Sequence, residues 1–174
     1  MSITEAVGVL RPVRSEDLAL VLEWRNHPTV RSSMYSQHEI SSAEHAHWFE
    51  SLAADSNRVA MILELENCPS GFVQFNELPC GCVADWGFYS APDAKKGAGR
   101  LLGMSALDYA FSELGYHKVC GQVIAFNKRS VSFHKALGFV EEGRLRDQYF
   151  DGTNYHDVFC FGILESDWRK FPIE

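Results

Sequence analysis

Two glycines one residue apart stand at the head of a long helical pattern, and they offer the clearest chemistry in the chain. The stretch Tyr89-Ser-Ala-Pro-Asp-Ala-Lys-Lys-Gly97-Ala98-Gly99-Arg100 reads as an extended segment, a loop, and then a helix. Leu101, Leu102, Ser105, Ala106, Tyr109 and Ala110 recur at intervals of three and four, which lays them on one helix face. The first turn of a helix carries N–H groups that find no acceptor inside the helix, and the helix dipole adds partial positive charge there. Together these make an anion site, ordinarily for phosphate. The loop lacks the Gly-Lys-Ser/Thr ending of a P-loop and the third glycine of a dinucleotide fingerprint. Taken alone, Gly97 and Gly99 serve equally well for a tight strand-to-helix turn.

The segment downstream adds specificity. After Gly115 comes a strand-like run from His117 to Ala125, then Asn127-Lys-Arg-Ser130-Val-Ser-Phe133-His134-Lys135-Ala-Leu-Gly138-Phe139. Asn127 suits an N-cap and Gly138 a helix stop, with Val131, His134, Ala136 and Leu137 on the short helix between them. The two motifs, in this order and at this separation, resemble the GNAT family of acetyl-CoA-dependent N-acyltransferases. The resemblance implies that the glycine loop cradles the coenzyme A pyrophosphate and that the Asn-x-x-Ser…Gly-Phe segment lines the carrier. It assigns Phe88, Tyr89, Ser90, Lys95, Lys96, Gly97, Ala98, Gly99, Arg100, Asn127, Ser130 and Phe133 to acetyl-CoA. Where the family usually has Arg or Gln, this chain has Ala94, beside Lys95 and Lys96. Where the family often has a tyrosine that reprotonates the leaving thiolate, this chain has His134. Histidine can donate a proton near its ordinary pKa of about 6.5; it can equally pack against the pantetheine arm.

The first half of the chain would shape the acceptor site. Trp24-Arg25-Asn26-His27-Pro28, Val30-Arg31, Met34-Tyr35, Glu44-His45…Trp48 and Gly71-Phe-Val-Gln-Phe-Asn76 look like the branch of that family that acts in the pseudaminic acid pathway. This likeness runs from about Leu10 to Trp168. It implies a UDP-linked 4-amino-4,6-dideoxy sugar as acceptor. Arg25 and Arg31 would meet phosphate oxygens through their guanidinium forks. Tyr35 or Trp48 would stack on base or sugar, and Asn26, Gln74 and Asn76 would orient polar groups. Core packing competes for Trp24 and Trp48, and for Trp24 it is the preferred reading.

Direct attack of the amine on the thioester needs no protein nucleophile. It needs a base, for which Asp85, His47 and Glu77 are candidates, and a backbone N–H near Phe88–Ser90 for the developing oxyanion. Asp85 and Trp86 must point to opposite faces of their strand, and sequence does not say which way.

The elements that position these residues belong to a chain of 174 residues with 46% hydrophobic composition. That length suits a single domain, 1–174, of α/β (α+β) class, a mixed central sheet flanked by helices. Val7–Pro12, Arg58–Leu65, Gly71–Asn76, Val83–Tyr89, His117–Ala125, Phe139–Arg144 and Tyr155–Leu164 read as strands. Ser15 should cap a helix that stops before His27-Pro28, and Ser41-Ser-Ala-Glu44 is a capping box for the next. A polar turn is expected across Asn67–Gly71.

The net charge of −7 weighs against nucleic acid as a partner. No apolar stretch reaches the ~20 residues that span a bilayer, so no membrane partner is expected. No signal peptide is visible. Five cysteines with scattered spacing suggest reduced thiols, a cytoplasmic protein and no metal site. A homodimer is a further expectation. Two other readings stay open: a protein N-terminal acetyltransferase of the ribosomal-protein type, and a CoA-binding module without catalysis.

Overall fold

The computed structural model describes residues 8–170 of the chain. Seven strands are ordered β1-β2-β3-β4-β5-β7-β6 in a mixed sheet. They are β1 Gly8–Pro12, β2 Arg58–Leu65, β3 Cys68–Glu77, β4 Val83–Ser90, β5 Lys118–Ile124, β6 Val140–Phe150 and β7 Tyr155–Leu164. The helices are α1 Leu18–Asn26, α2 Pro28–Arg31, α3 Ser42–Ala53, α4 Ala98–Ser112, α5 Lys128–Ala136 and α6 Glu165–Trp168. This is the α/β architecture expected from the sequence; Val7, placed in the first strand by its pattern, lies outside the described residues. Among the described residues no helix is long and apolar enough to cross a membrane.

The chain packs as two compact units. The first holds residues 8–76 together with 87–106, and the second holds 77–86 together with 107–170. In the first, β1 and β3 flank β2 in antiparallel register. Ala60–Leu63 are buried without alternation, so both faces of β2 are covered. Val21, Trp24, Ala60, Ile62, Phe72 and Ala91 form a core cluster, with Trp48, Leu52 and Tyr89 packed against it. Trp24 is thus a core residue, as preferred.

Two local expectations change. Ser15 caps nothing: it opens a short 3-10 turn, and the Asp17 carboxylate accepts the Arg14 N–H (2.8 Å) while gripping the Arg11 guanidinium (2.7 and 2.8 Å). A longer-reaching carboxylate with a cation at hand displaces the serine hydroxyl. The turn after β2 is also shorter than expected. Glu66 and Asn67 both take left-handed φ (53° and 63°), and Cys68 already pairs with Leu65. The capping box at Ser41 is present: Ser41 Oγ accepts the Glu44 N–H (3.2 Å) and Glu44 accepts the Ser41 N–H (2.8 Å).

In the second unit β5 pairs in parallel with β4 over Val83–Asp85 and Lys118–Cys120, and antiparallel with β7, which carries β6 outside it. Asn127 Oδ1 accepts the Ser130 N–H (3.1 Å) to start α5, and Gly138 (φ 86°) ends it. The strand expected at Phe139–Arg144 starts at Val140 and continues to Phe150, paired with the ten-residue β7 as far as Tyr155.

Candidate active site

In the first unit, the backbone of the loop before α4 is set by turns. The Ala94 N–H donates to Ala91 O and the Ala98 N–H to Lys95 O, both at 3.0 Å, and the Leu101 N–H opens the helical ladder on Gly97 O (3.1 Å). Gly97 has φ +95°, a conformation that costs an L side chain strain. A Cβ at Gly99 would lie 3.2 Å from Ser90 Oγ. The first glycine therefore turns the chain, and the second keeps the floor of the first helical turn low, where amides have no helical acceptor. This geometry fits a diphosphate. Of the neighbouring cations, Lys95 Nζ is paired with Glu66 (2.5 Å), while Lys96 and Arg100 are exposed. Along β4, Phe88, Tyr89 and Ser90 are half-buried. The Tyr89 ring stacks on Phe72 (centroids 5.0 Å), and burial pushes its hydroxyl pKa up, with Arg25 pulling the other way.

The same unit holds the residues expected at the acceptor. Arg25 Nη2 donates to Ser36 O (2.8 Å), but its Nη1 is buried with no hydrogen-bond partner among the described residues. Burial pushes the Arg25 pKa down; nearby Tyr89 opposes this and the like charge of Arg31 adds to it. An unsatisfied buried donor of this kind costs about 1–3 kcal/mol. Arg31 makes only a loose ion pair with Glu39 (3.9 Å), and Tyr35 is exposed. His47 is exposed on α3, while His45 is buried and stacks on Trp48 (4.9 Å).

Two of the predicted ligands are otherwise engaged. Asn26 donates to Ile40 O and accepts the Ile40 N–H, both at 2.8 Å, so its amide pins the segment between α2 and α3, with one N–H and one oxygen lone pair left over. Gln74 accepts from Trp48 Nε1 (3.2 Å) and donates to Asn76 Oδ1 (2.7 Å). It holds Trp48 and Asn76 in place, and the half-buried Trp48 packs against His45 and Phe72.

The second unit decides the orientation of β4. Trp86 is buried against Phe139 (5.1 Å), and its Nε1–H donates to His134 Nε2 (3.1 Å). Asp85 therefore faces the opposite side, beside its register partner Cys120. Burial raises the Asp85 pKa, which suits a base. Glu77, the remaining candidate base, is half-buried and accepts the Cys82 N–H (3.3 Å).

His134 is 2% exposed. Its Nδ1 lies 2.8 Å from Ser130 O, which fixes the tautomer: Nδ1–H donates and Nε2 accepts from Trp86. Burial pushes its pKa down. The ring is neutral with both nitrogens engaged, sandwiched near Phe161 (5.1 Å) and Phe139 (4.9 Å). This corrects the expectation of a proton donor; His134 is a structural ring that ties β4 to α5. Phe133 also stacks with Trp86 (6.5 Å).

Sequence reasoning missed Gly121. A Cβ there would lie 2.6 Å from His134 Nε2 and 2.8 Å from Trp86 Nε1. An isolated glycine inside a strand pattern signals such a close approach.

The profile of the acetyltransferase (GNAT) domain matches residues 9–140, taking in the glycine loop, β4, β5 and α5. The chain belongs to this GNAT acetyltransferase family. Its GNAT domain is similar to the Vibrio cholerae spermidine N(1)-acetyltransferase, 37% identical over 86 residues. That alignment covers 49% of this chain and spans about half (50%) the length of that relative. It is also similar to the acetyltransferase PseH of Campylobacter jejuni, 27% identical over 138 residues, covering 79% of this chain and 86% of PseH. Among solved structures, the Vibrio cholerae spermidine N-acetyltransferase in complex with CoA and spermine superposes with a TM-score of 0.86 at 27% identity, covering 93% of this chain and 98% of the other. The GNAT domain is the acetyl-CoA-dependent N-acetyltransferase domain.

Proposed function

We propose that this chain transfers an acetyl group from acetyl-CoA to the primary 4-amino group of a UDP-linked amino-dideoxy sugar. The loop amides around Gly97–Gly99 hold the carrier's diphosphate, Phe88–Ser90 run along its arm, and a backbone N–H of that segment meets the developing oxyanion. The carrier, when bound, supplies the activated acetyl group. Asp85, its proton affinity raised by burial, takes the proton of the acceptor ammonium. His47, exposed on α3, is the alternative base.

The observation that carries the acceptor reading is a pair of arginines, Arg25 and Arg31, in the acceptor half. Among the described residues Arg25 keeps a buried N–H without a partner, and Arg31 forms a loose ion pair with Glu39. Both call for anionic oxygen, as a diphosphate provides. A polyamine acceptor is the second reading, favoured by the likeness to spermidine acetyltransferases. Against it, Glu44 is committed to the Ser41 capping box and to His38, and Glu39 sits by Arg31. A polycation drawn toward Arg25 and Arg31 would meet like charge.

A thiol-release assay with acetyl-CoA tests this against UDP-4-amino sugars, spermidine and N-terminal peptides. The nucleotide sugar should give the highest kcat/KM, and Arg25→Met should raise its KM about tenfold or more while acetyl-CoA binding is unchanged. Preference for spermidine, or normal handling of the sugar by Arg25→Met, would overturn it.

A further inference from the structure

The turn between β3 and β4 carries two exposed thiols one residue apart, in Leu78-Pro-Cys80-Gly-Cys82-Val83. It lies wholly in the second unit. The Leu78 N–H closes the hairpin on Val83 O (2.7 Å), and within it the Gly81 N–H donates to Leu78 O (3.2 Å). Gly81 (φ 76°) and Cys82 (φ 53°) both take left-handed backbone. Turns place Gly, Asn or Asp at such positions, so a cysteine at 82 runs against local preference. Its backbone is nonetheless fixed on both sides: the N–H donates to Glu77 Oε1 (3.3 Å), and the C=O accepts the His117 N–H (2.7 Å). The surroundings hold residue 82 in a disfavoured conformation and leave its side chain at the surface. Positions of that kind point to function and not to packing.

Cys80 has a cation within electrostatic reach. The Lys118 ammonium, held by Glu142 (2.7 Å), has its pKa raised first by that hydrogen bond, and the charges of Cys120 and Cys80 add to it. Thiolate is the form that attacks a disulfide, and a neighbouring ammonium favours it. Cys120, by contrast, is half-buried, and burial raises its thiol pKa. We infer that Cys80 and Cys82 are a reversible dithiol–disulfide site, oxidised by a small disulfide such as oxidised glutathione. Cys80, as thiolate, attacks one glutathione sulfur. The glutathione S–S bond breaks, one glutathione thiolate leaves, and a mixed disulfide remains. Cys82, as thiolate, then attacks Cys80 Sγ and expels the second glutathione thiolate. Two electrons pass from the cysteine pair to the glutathione disulfide, and the two protons lost by the cysteines go to the two released thiolates. Because the second thiol is tethered one residue away, the closing step outruns an encounter with another glutathione. The ring encloses only Gly81, so it constrains the unfolded chain little, and an exposed disulfide of this kind is readily reduced again.

The unaltered full chain tests this. It is reduced, equilibrated in buffers spanning a range of glutathione to oxidised-glutathione ratios, and quenched with N-ethylmaleimide in denaturant. Its peptides are then read by mass spectrometry. Cys80 and Cys82 should lose their maleimide labels together, as one Cys80–Cys82 disulfide, while Cys120 keeps its label. Dithiothreitol should restore both labels. Cys82→Ser should stop at a mixed disulfide between Cys80 and glutathione, about tenfold or more above its level in the unaltered chain. A pair that stays reduced at every ratio, that carries two separate glutathiones, or that bridges to another cysteine overturns the inference.

Discussion

Replacing His134 by phenylalanine separates a ring that moves protons from one that only holds position. The substitution keeps the aromatic bulk between Phe139 and Phe161, and a swap of similar volume costs less than about 1.5 kcal/mol. What it removes is the acceptor for the Trp86 Nε1–H, now 3.1 Å away in a site where Trp86 is 7% exposed. Orphaning a buried donor costs about 1–3 kcal/mol, so His134→Phe should lose about 2 kcal/mol. For a chain of this size that lowers Tm by roughly 4–8 °C. Trp86→Phe removes the donor instead and strands the histidine acceptor. With both partners apolar neither group is stranded, so the double variant should lose about 1–2 kcal/mol less than the sum of the singles. Urea denaturation of the four proteins measures the cycle. The same proteins, assayed while fully folded, measure kcat against pH. A proton donor would be worth about 10²–10⁴ in kcat, whereas a positioning ring predicts a loss under about tenfold with the pH profile intact. Additivity within about 0.5 kcal/mol, or a hundredfold loss of kcat in folded His134→Phe, would refute the assignment.

Three further outcomes follow from the same geometry. Gly121→Ala drives a Cβ to 2.6 Å from His134 Nε2 and should cost about 2–4 kcal/mol in a thermal or urea melt; an unchanged midpoint would mean the strand yields freely. Because burial raises the Asp85 pKa, the folded chain holds that proton to higher pH than the unfolded one. Stability therefore falls as pH rises from the ordinary carboxylate value through the folded one, and Asp85→Asn should remove that slope in melts run across pH. If Asp85 is the base, the acid limb of the kcat profile should go with it; an unaltered limb would transfer the role to His47. Asn127→Ala deletes the α5 cap and should lower stability by about 1 kcal/mol, read by urea denaturation.

The sequence carried the fold and the glycine turn before α4 because both are written in local patterns. Gly97 and Gly99 before a 3–4 periodic run, Asn127 before Ser130, and Ser41 before Glu44 are short-range signals whose hydrogen bonds close within three or four residues. Strands such as Arg58–Leu65 and Tyr155–Leu164 announce themselves by composition and length. What local pattern does not hold is which polar group a side chain will meet across the sheet. Asn26 and Gln74 have the chemistry of ligands, yet Ile40, fourteen residues on, and Trp48, twenty-six away, take up their amides. His134 has the chemistry of an acid, yet Trp86, forty-eight residues earlier, occupies the nitrogen that would have donated. The face of Asp85 was set by where Trp86 could be buried. Residue types determined what each group is able to do. Packing decided which of them remain available, because a hydrogen-bonding group buried in the core must be satisfied by whatever the tertiary contacts bring to it.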